Sequence, residues 1–272
     1  MNYKVVAFDL DGTLLNGQGQ ILAENKKAIQ TLQEKGIQVI LVTGRHHTAV
    51  KPYYRELGLT TPIICCNGTY VYDVETDSTP FANPLSKQQA QLIFDVAEKH
   101  HCHLLMYSRD SMNYAELNPH MTKFIQWVES CPPEVRPDVR KVASIQDVID
   151  HDQPIWKCVI SAPDKNIMNA VVADLPQDEF SCEWSWVDRI DIANAGNTKG
   201  GRLLALLAEW GIDPQQVIAF GDNHNDISML KAVGLGVAMG NAEDEVKQQA
   251  KLITRSNNEA GIADVLKTYF SI

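Results

Sequence analysis

Short apolar runs recur through the first and last thirds of this chain. Each ends in a polar or glycine-bearing turn and leads into a segment with helical spacing. Val5–Phe8, Gln38–Val42, Ile63–Cys66 and Val217–Phe220 are continuously apolar or nearly so, as strands buried on both faces are. Between them, Glu24–Lys35 carries Ala28, Ile29 and Leu32 on one face, and Gly36 stops it. A second helical pattern runs from about His47 to Leu57, and Asn67-Gly68 marks a hairpin turn from Ile63–Cys66 into Thr69–Tyr72. Toward the C-terminus the pattern gives helix 198–210, strand 217–220, helix 226–232, strand 235–238 and a last pair near 251–268. Strand and helix in alternation predict α/β architecture: a Rossmann-like, doubly wound parallel sheet with helices on both faces.

The middle third has another texture. Ser86 can cap a helix through His101, and strands are expected at His103–Tyr107 and Asn113–Glu116. A helix over Pro119–Glu129 ends at Cys131-Pro132-Pro133, and strands Trp156–Ile160 and Glu179–Trp184 flank a helix over Lys165–Ala173. The expected organisation is a core built from 1–83 and 188–272, interrupted by an inserted α/β domain over 84–187.

At 272 residues, 44% hydrophobic and 21% charged, the chain has the balance of a globular protein with room for a core and an insert. No apolar stretch approaches the roughly 20 residues of a membrane span. Met1–Lys4 runs straight into the first strand, so a cytoplasmic protein without a signal peptide or membrane association is expected. A net charge of −10 argues against a nucleic-acid partner. It leaves room for a small phosphorylated metabolite, because a metal and one lysine can reverse the local sign. The six cysteines form no C-x-x-C pair, adjacent Cys65 and Cys66 read as reduced packing residues, and the histidines show no zinc-site spacing.

The candidate chemistry sits at strand ends. Asp9 and Asp11, two apart, leave the first strand on one face at its carboxyl end, with Gly12 breaking the strand. Two such carboxylates repel, and a divalent cation between them is the usual remedy. Thr43 offers a hydroxyl, and the Gly44 N–H can approach a phosphate oxygen without a side chain in the way. Lys199 stands at a helix start, where the macrodipole disfavours a cation unless an anion is near. Asp222, Asn225 and Asp226 lie in the turn after the strand at 217–220.

In chain order these segments read D-x-D-G-T, T-G-R, N-T-K-G and G-D-x-x-N-D, from Asp9 to Asp226. Together they resemble the four signature motifs of the haloacid dehalogenase-like hydrolases, and in particular the Cof-type phosphatases whose α/β cap lies between the second and third motifs. That resemblance implies a magnesium-dependent phosphatase. Asp9 would be the nucleophile that forms an aspartyl-phosphate, and Asp11 the acid and then base. Asp9, the backbone carbonyl of Asp11, and Asp222 would hold Mg2+. Leu10, Thr43, Gly44, Lys199 and Asn225 would bind phosphate. Asp226 would either support the metal or Lys199, or cap the following helix.

Thr43-Gly44-Arg45-His46-His47, Cys65-Cys66-Asn67-Gly68-Thr69-Tyr70 and Cys182-Glu183-Trp184-Ser185-Trp186-Val187-Asp188 are most similar to the pyridoxal phosphate phosphatases of that group. Trp184 or Trp186 could stack on a flat ring, with Glu183, Arg45 or His47 as polar contacts. Two tryptophans at strand spacing are more often core of the insert. Sugar-phosphate or nucleotide phosphatases are the alternatives within the family. Mutases resembling it carry a cap just after the first motif, and ten residues between Thr13 and Glu24 are too few for one. A binding protein without catalysis would not need Asp9, Asp11, Lys199 and Asp222 together.

Overall fold

The computed structural model describes residues 3–151, 153–186 and 188–272, without the side chain of Trp186, so the expectations for the Trp186 ring and for Val187 lie outside what is described. In chain order the first elements are β1 (Val5–Phe8), α1 (Ala23–Glu34), β2 (Gln38–Leu41), α2 (His47–Leu57), β3 (Ile63–Cys65), β4 (Tyr70–Asp73) and β5 (Ser78–Ala82). There follow α3 (Lys87–Lys99), β6 (His103–Ser108), β7 (Met112–Tyr114), α4 (Pro119–Ser130), β8 (Val139–Lys141), α5 (Ile145–Asp150), β9 (Ile155–Ser161), α6 (Lys165–Ala173), β10 (Phe180–Trp186) and β11 (Arg189–Asn194). The chain closes with α7 (Lys199–Glu209), β12 (Val217–Gly221), α8 (Ile227–Ala232), β13 (Leu235–Ala238), α9 (Asp244–Gln249), β14 (Leu252–Ile253) and α10 (Gly261–Phe270).

Two compact units result. The first comprises Met1–Arg45, Tyr53–Phe81 and Thr198–Ile272, and the second His46–Pro52 and Ala82–Asn197. In the first, five parallel strands run in the order β14-β13-β12-β1-β2. A parallel bridge from Val42 to Ile64 continues the sheet toward β3. Val5, Ala7, Val217 and Ala219 pack with Leu203, Leu206 and Leu207 of α7 and with Met229 and Leu230 of α8. Alternation sends Val6, Phe8, Ile218 and Phe220 to the opposite face, where they too are buried and the rings of Phe8 and Phe220 stack at 5.1 Å. Both faces are covered, so the sheet is doubly wound, and the continuous apolar runs are explained. From β1 the connections proceed outward in opposite directions, to β2 on one side and through β12 to β13 and β14 on the other. The carboxyl ends of β1 and β12 therefore flank the switch point where such sheets bind ligands.

The second unit holds a six-stranded sheet, β10-β11-β9-β6-β7-β8, antiparallel except for the β7–β8 pair. Leu104, Met106, Cys158, Ile160, Ile190 and Ile192 share a core with apolar residues of α3, α5 and α6. On the other face Leu105 and Val159 pack with Met121 of α4 and Ala49 of α2. A Ser86–Gln89 capping box starts α3, with Ser86 Oγ accepting from Gln89 N at 3.2 Å and Gln89 Oε1 from Ser86 N at 2.9 Å.

Several elements differ from the expectation. β5 and β8 are short and carry little periodic signal, and α5, though Ile145, Val148 and Ile149 stand at helical spacing, is only 6 residues long. The boundary at 187/188 falls inside a β-hairpin: β11 pairs with both β10 and β9, and the second unit runs to Asn197. Arg189-Ile190-Asp191-Ile192 alternates polar and apolar, which is the pattern of an antiparallel strand with two different faces rather than of the parallel core. The turn at Asn67-Gly68 is longer than a two-residue hairpin, because Cys65 pairs with Tyr70 and leaves 66–69 between them.

Candidate active site

The side chains after β1 and β12 converge with the first residue of α7. Thr198 caps α7 by accepting from Gly201 N at 3.0 Å, which places Lys199 in its first turn. Lys199 turns inward and is 1% exposed. Its Nζ donates to Asp9 Oδ1 and to Asp226 Oδ1, both at 2.7 Å. Burial works against the charge on this lysine, but Asp226 and Asp9 outweigh that and hold its pKa above the ordinary value. The cation at a helix start is thus explained by two carboxylates.

Asp226 supports Lys199 and closes the turn ahead of α8, but its side chain does not cap α8 itself. While Oδ1 meets Lys199, Oδ2 accepts from the N–H groups of Asp222 at 2.9 Å and Asn223 at 3.0 Å, closing the turn before α8. Both oxygens are engaged by protein donors, so it shapes the site from behind.

Asp222 receives the Thr13 hydroxyl on Oδ1 at 2.7 Å. Gly12, at φ +81°, has no substitute here: a Cβ would lie 2.2 Å from Asp222 Oδ2. Asn241 Nδ2 reaches the Gly12 carbonyl at 2.9 Å and ties the same loop from outside. Thr13 and Asn241 are contributors that sequence reasoning left unassigned. Thr13 stood in the first motif with a hydroxyl to offer, whereas nothing local marked Asn241.

One oxygen from each of Asp9, Asp222 and Asp226 falls within a 4.8 Å cluster. Burial pushes the Asp9 carboxyl well above the usual range, and Asp226 and Asp222 add to that against the pull of Lys199. Burial likewise lifts Asp222 to about 6, opposed by the Thr13 hydrogen bond. Three carboxylates against one ammonium leave a formal deficit of two positive charges. An oxygen-rich site short of two charges is the donor set a hard divalent cation takes. With Asp226 occupied, Asp9 and Asp222 are the side chains able to hold it.

Asp11 is held elsewhere. Its side chain is 60% exposed, and Arg45 grips it with Nε to Oδ2 at 2.7 Å and Nη2 to Oδ1 at 2.6 Å. The guanidinium also lies 5.2 Å from the centre of the Tyr53 ring. Arg45, expected among the polar contacts for substrate, is committed here to the second acid of the D-x-D pair. Leu10 contributes only backbone: its side chain is fully buried and its carbonyl closes the turn, accepting from Thr13 and Leu15.

The end of β2 lies beside that of β1, joined by Val42 N to Phe8 O at 2.8 Å. Thr43 is buried, and its oxygen accepts from Arg45 N at 3.1 Å, leaving the hydroxyl proton to be donated. Asn225, one residue before Asp226, reaches Asn67 with Nδ2 at 3.1 Å from Oδ1. Asp9, Asp11, Thr43, Gly44, Lys199, Asp222, Asn225 and Asp226 all belong to the first unit.

The remaining expectations concern the second unit. His47 is buried, and burial together with His46, Lys51 and Arg109 lowers its pKa to about 2, so it is neutral. Glu183 pairs across the ladder with Asp191, and Trp184 with Ile190. Neighbours on a strand point to opposite faces, so Glu183 and Trp184 cannot share a surface. Trp184 goes with Ile190 to the face that packs against α3, α5 and α6, where Lys165 of α6 lies 5.6 Å from its ring centre. On Glu183's face stand Asp191, its buried ion-pair partner Lys157, and Tyr107, whose ring centre is 5.0 Å from Lys157 Nζ.

Residues 6–266 match the haloacid dehalogenase-like hydrolase family. The chain belongs to that family. It is 40% identical to the pyridoxal phosphate phosphatase of Escherichia coli K12 over 99% of both chains. A 5-amino-6-(5-phospho-D-ribitylamino)uracil phosphatase of Bacillus subtilis is 30% identical over 98% of this chain and 96% of its own. Among solved structures, a haloacid dehalogenase-like hydrolase from Bacteroides thetaiotaomicron superposes with a TM-score of 0.87 at 28% identity, covering 98% of this chain and 99% of that one. This haloacid dehalogenase-like hydrolase is a phosphatase, and its parallel core and additional sheet are those of its relatives. No helix among the described residues is long and apolar enough to cross a membrane.

Proposed function

We propose that this chain is a magnesium-dependent phosphatase of small phosphorylated metabolites, working through an aspartyl-phosphate on Asp9, with pyridoxal 5′-phosphate as the favoured substrate. The observation that carries the reading is the buried Lys199 ammonium bridging Asp9 and Asp226 at the switch point of the sheet. It orients a nucleophilic carboxylate and leaves a third N–H for a phosphoryl oxygen. Thr43 Oγ, Gly44 N, Leu10 N and Asn225 Nδ2 supply further donors around the same strand ends.

In the first step an Asp9 oxygen attacks phosphorus, the ester P–O bond breaks, and the departing oxygen takes a proton from Asp11. In the second, water attacks the same phosphorus and gives its proton to Asp11, which frees phosphate and restores the Asp9 carboxylate. Asp11 must loosen at least one prong of the Arg45 grip to do this. Mg2+, held by Asp9, Asp222 and the Asp11 carbonyl, would supply charge screening that lets a carboxylate approach a dianion.

Pyridoxal 5′-phosphate is favoured by the 40% identity to an enzyme named for that substrate. We assign recognition of its ring and polar edge to the Glu183–Tyr107 face of the second sheet rather than to Trp184, with a cytosolic setting in keeping with six free cysteines. The test is phosphate release from a panel of vitamin, sugar, nucleotide and ribitylaminouracil phosphates, with Asp9→Asn as control. Pyridoxal 5′-phosphate should have the highest kcat/KM. A sugar phosphate or the uracil derivative ranking first by tenfold would reassign the substrate, and an active Asp9→Asn would reject the mechanism.

A further inference from the structure

The sequence gives Asn67 no functional role beyond its place in a turn and in the Cys65–Tyr70 stretch. In the fold it is a buried polar residue held in the left-handed region at φ +56°. Its N–H donates to the Thr43 carbonyl at 3.0 Å. Its Oδ1 accepts from Asn225 Nδ2 at 3.1 Å, and the same oxygen would stand 2.9 Å from a Cβ placed on Gly44. A single carboxamide therefore abuts two separate phosphate-binding segments, the Thr43-Gly44 turn after β2 and Asn225 after β12.

Asn225 also shows that its orientation is imposed. Its Oδ1 is buried without a hydrogen-bond partner, a cost that an unconstrained amide would escape by turning over. With Asn67 Oδ1 opposite, turning over would set two acceptors against each other. Nδ2 carries two hydrogens, and committing one to Asn67 directs the other.

We propose that Asn67 is a positioning residue of the phosphate site, a strut that sets the spacing between the Thr43-Gly44 turn and Asn225 and holds the Asn225 amide with its N–H toward phosphate. The proposal rests on the phosphatase reading above. It also explains Gly44 differently: glycine is needed there to admit the Asn67 oxygen as well as a ligand.

The test is a double-mutant cycle on the full-length enzyme with magnesium, reading kcat, KM and orthovanadate affinity. Asn67→Gly removes the carboxamide but keeps the left-handed backbone. Asn67→Ser, too short to reach Asn225, is measured beside it in case the added glycine loosens the fold. Each should lower kcat/KM by roughly 10- to 100-fold, about as Asn225→Ala does, and weaken vanadate in parallel. In the Asn225→Ala background the same change should cost less than about threefold, because the strut has nothing left to hold. Gly44→Ala should be more damaging in wild type than in Asn67→Gly, where the obstructing oxygen is gone. Full activity in Asn67→Gly and Asn67→Ser, or losses that multiply with Asn225→Ala, would overturn the strut while leaving an active, Asp9-dependent wild type intact. A wild type without phosphatase activity would instead remove the functional reading and the strut with it.

Discussion

Arg45 clamps Asp11 with two parallel hydrogen bonds, Nε to Oδ2 at 2.7 Å and Nη2 to Oδ1 at 2.6 Å. That geometry needs a planar fork, which lysine lacks. Arg45→Lys should therefore reduce kcat by roughly tenfold, the scale of about 1.4 kcal/mol for a half-exposed charge-assisted pair, and leave KM within about twofold. Steady-state kinetics on one good substrate decides the matter. A large rise in KM with kcat preserved would mean that Arg45 binds substrate rather than aiming the acid.

Asp9→Asn keeps the shape of the site but removes the carboxylate proposed to attack phosphorus and one of the acids competing for a single lysine. Turnover should fall by at least about 10³-fold. Because one member of a crowded buried acid cluster becomes neutral, the melting temperature without magnesium should not drop. Calorimetry of both proteins in chelator checks the second half, and a fall of more than about 5 °C would show that the Asp9–Lys199 contact outweighs the repulsion.

What the sequence made legible follows from how each feature is encoded. Asp9, Thr43 and Asp222 follow strands that are apolar apart from Gln38, and such strands announce their own ends. β11 was lost to the core because its alternating residues belong to an antiparallel sheet, a signal present in the chain but overridden by the expectation of resumed α/β alternation. The opposite faces of Glu183 and Trp184 also follow from strand periodicity and are legible in the sequence. Asn67 and Asn241 are not. Their partners, Asn225 and Gly12, are 158 and 229 residues away, and only the sheet topology brings them together.

Removing the metal should make stability depend on pH. Asp222 has its pKa raised to about 6, so its neutral form is the one the metal-free fold favours. A raised folded-state pKa gives stability that is present below the unfolded value, near 4, and lost as pH rises through 6. Magnesium, if held as proposed, would supply the missing charge only where the carboxylates are ionised. The rise in melting temperature on adding magnesium should accordingly be small at pH 5 and larger at pH 7.5. Thermal scans in magnesium and in chelator at both values test this, and an equal shift at both would mean that Asp222 does not govern binding.

His46 gives the opposite dependence. Its Nε2 faces the Ser108 carbonyl at 3.0 Å and so carries the proton, while Nδ1 faces the Thr48 hydroxyl at 2.9 Å and accepts. Burial lowers its pKa to about 4. A depressed folded-state pKa gives stability that is complete above about 6.5 and lost as pH falls through 4, on the order of 3 kcal/mol in all. His46→Gln should be less stable than wild type at pH 7.5, and the difference should shrink toward pH 4. Urea unfolding at the two values measures it. A constant difference would place the titration elsewhere.

The last prediction concerns the second sheet. Glu183 lies on the face with Asp191, Lys157 and Tyr107, and Trp184 on the face with Ile190 and Lys165. Lys157 and Asp191 are poor probes, because deleting either leaves a buried charge unpaired and threatens the fold. Glu183→Gln changes charge with almost no change in shape, and Tyr107→Leu removes a ring while keeping apolar bulk. If this face reads the substrate, both should change the ratio of kcat/KM for pyridoxal 5′-phosphate over a small sugar phosphate by about fivefold or more, with the magnesium requirement untouched. Trp184→Ala, on the opposite face and 39% exposed, should leave that ratio within about twofold. The reverse pattern would be Trp184→Ala selectively losing pyridoxal 5′-phosphate with Glu183→Gln neutral. Recognition would then have to be reassigned to the Cys182–Trp184–Ile190 face.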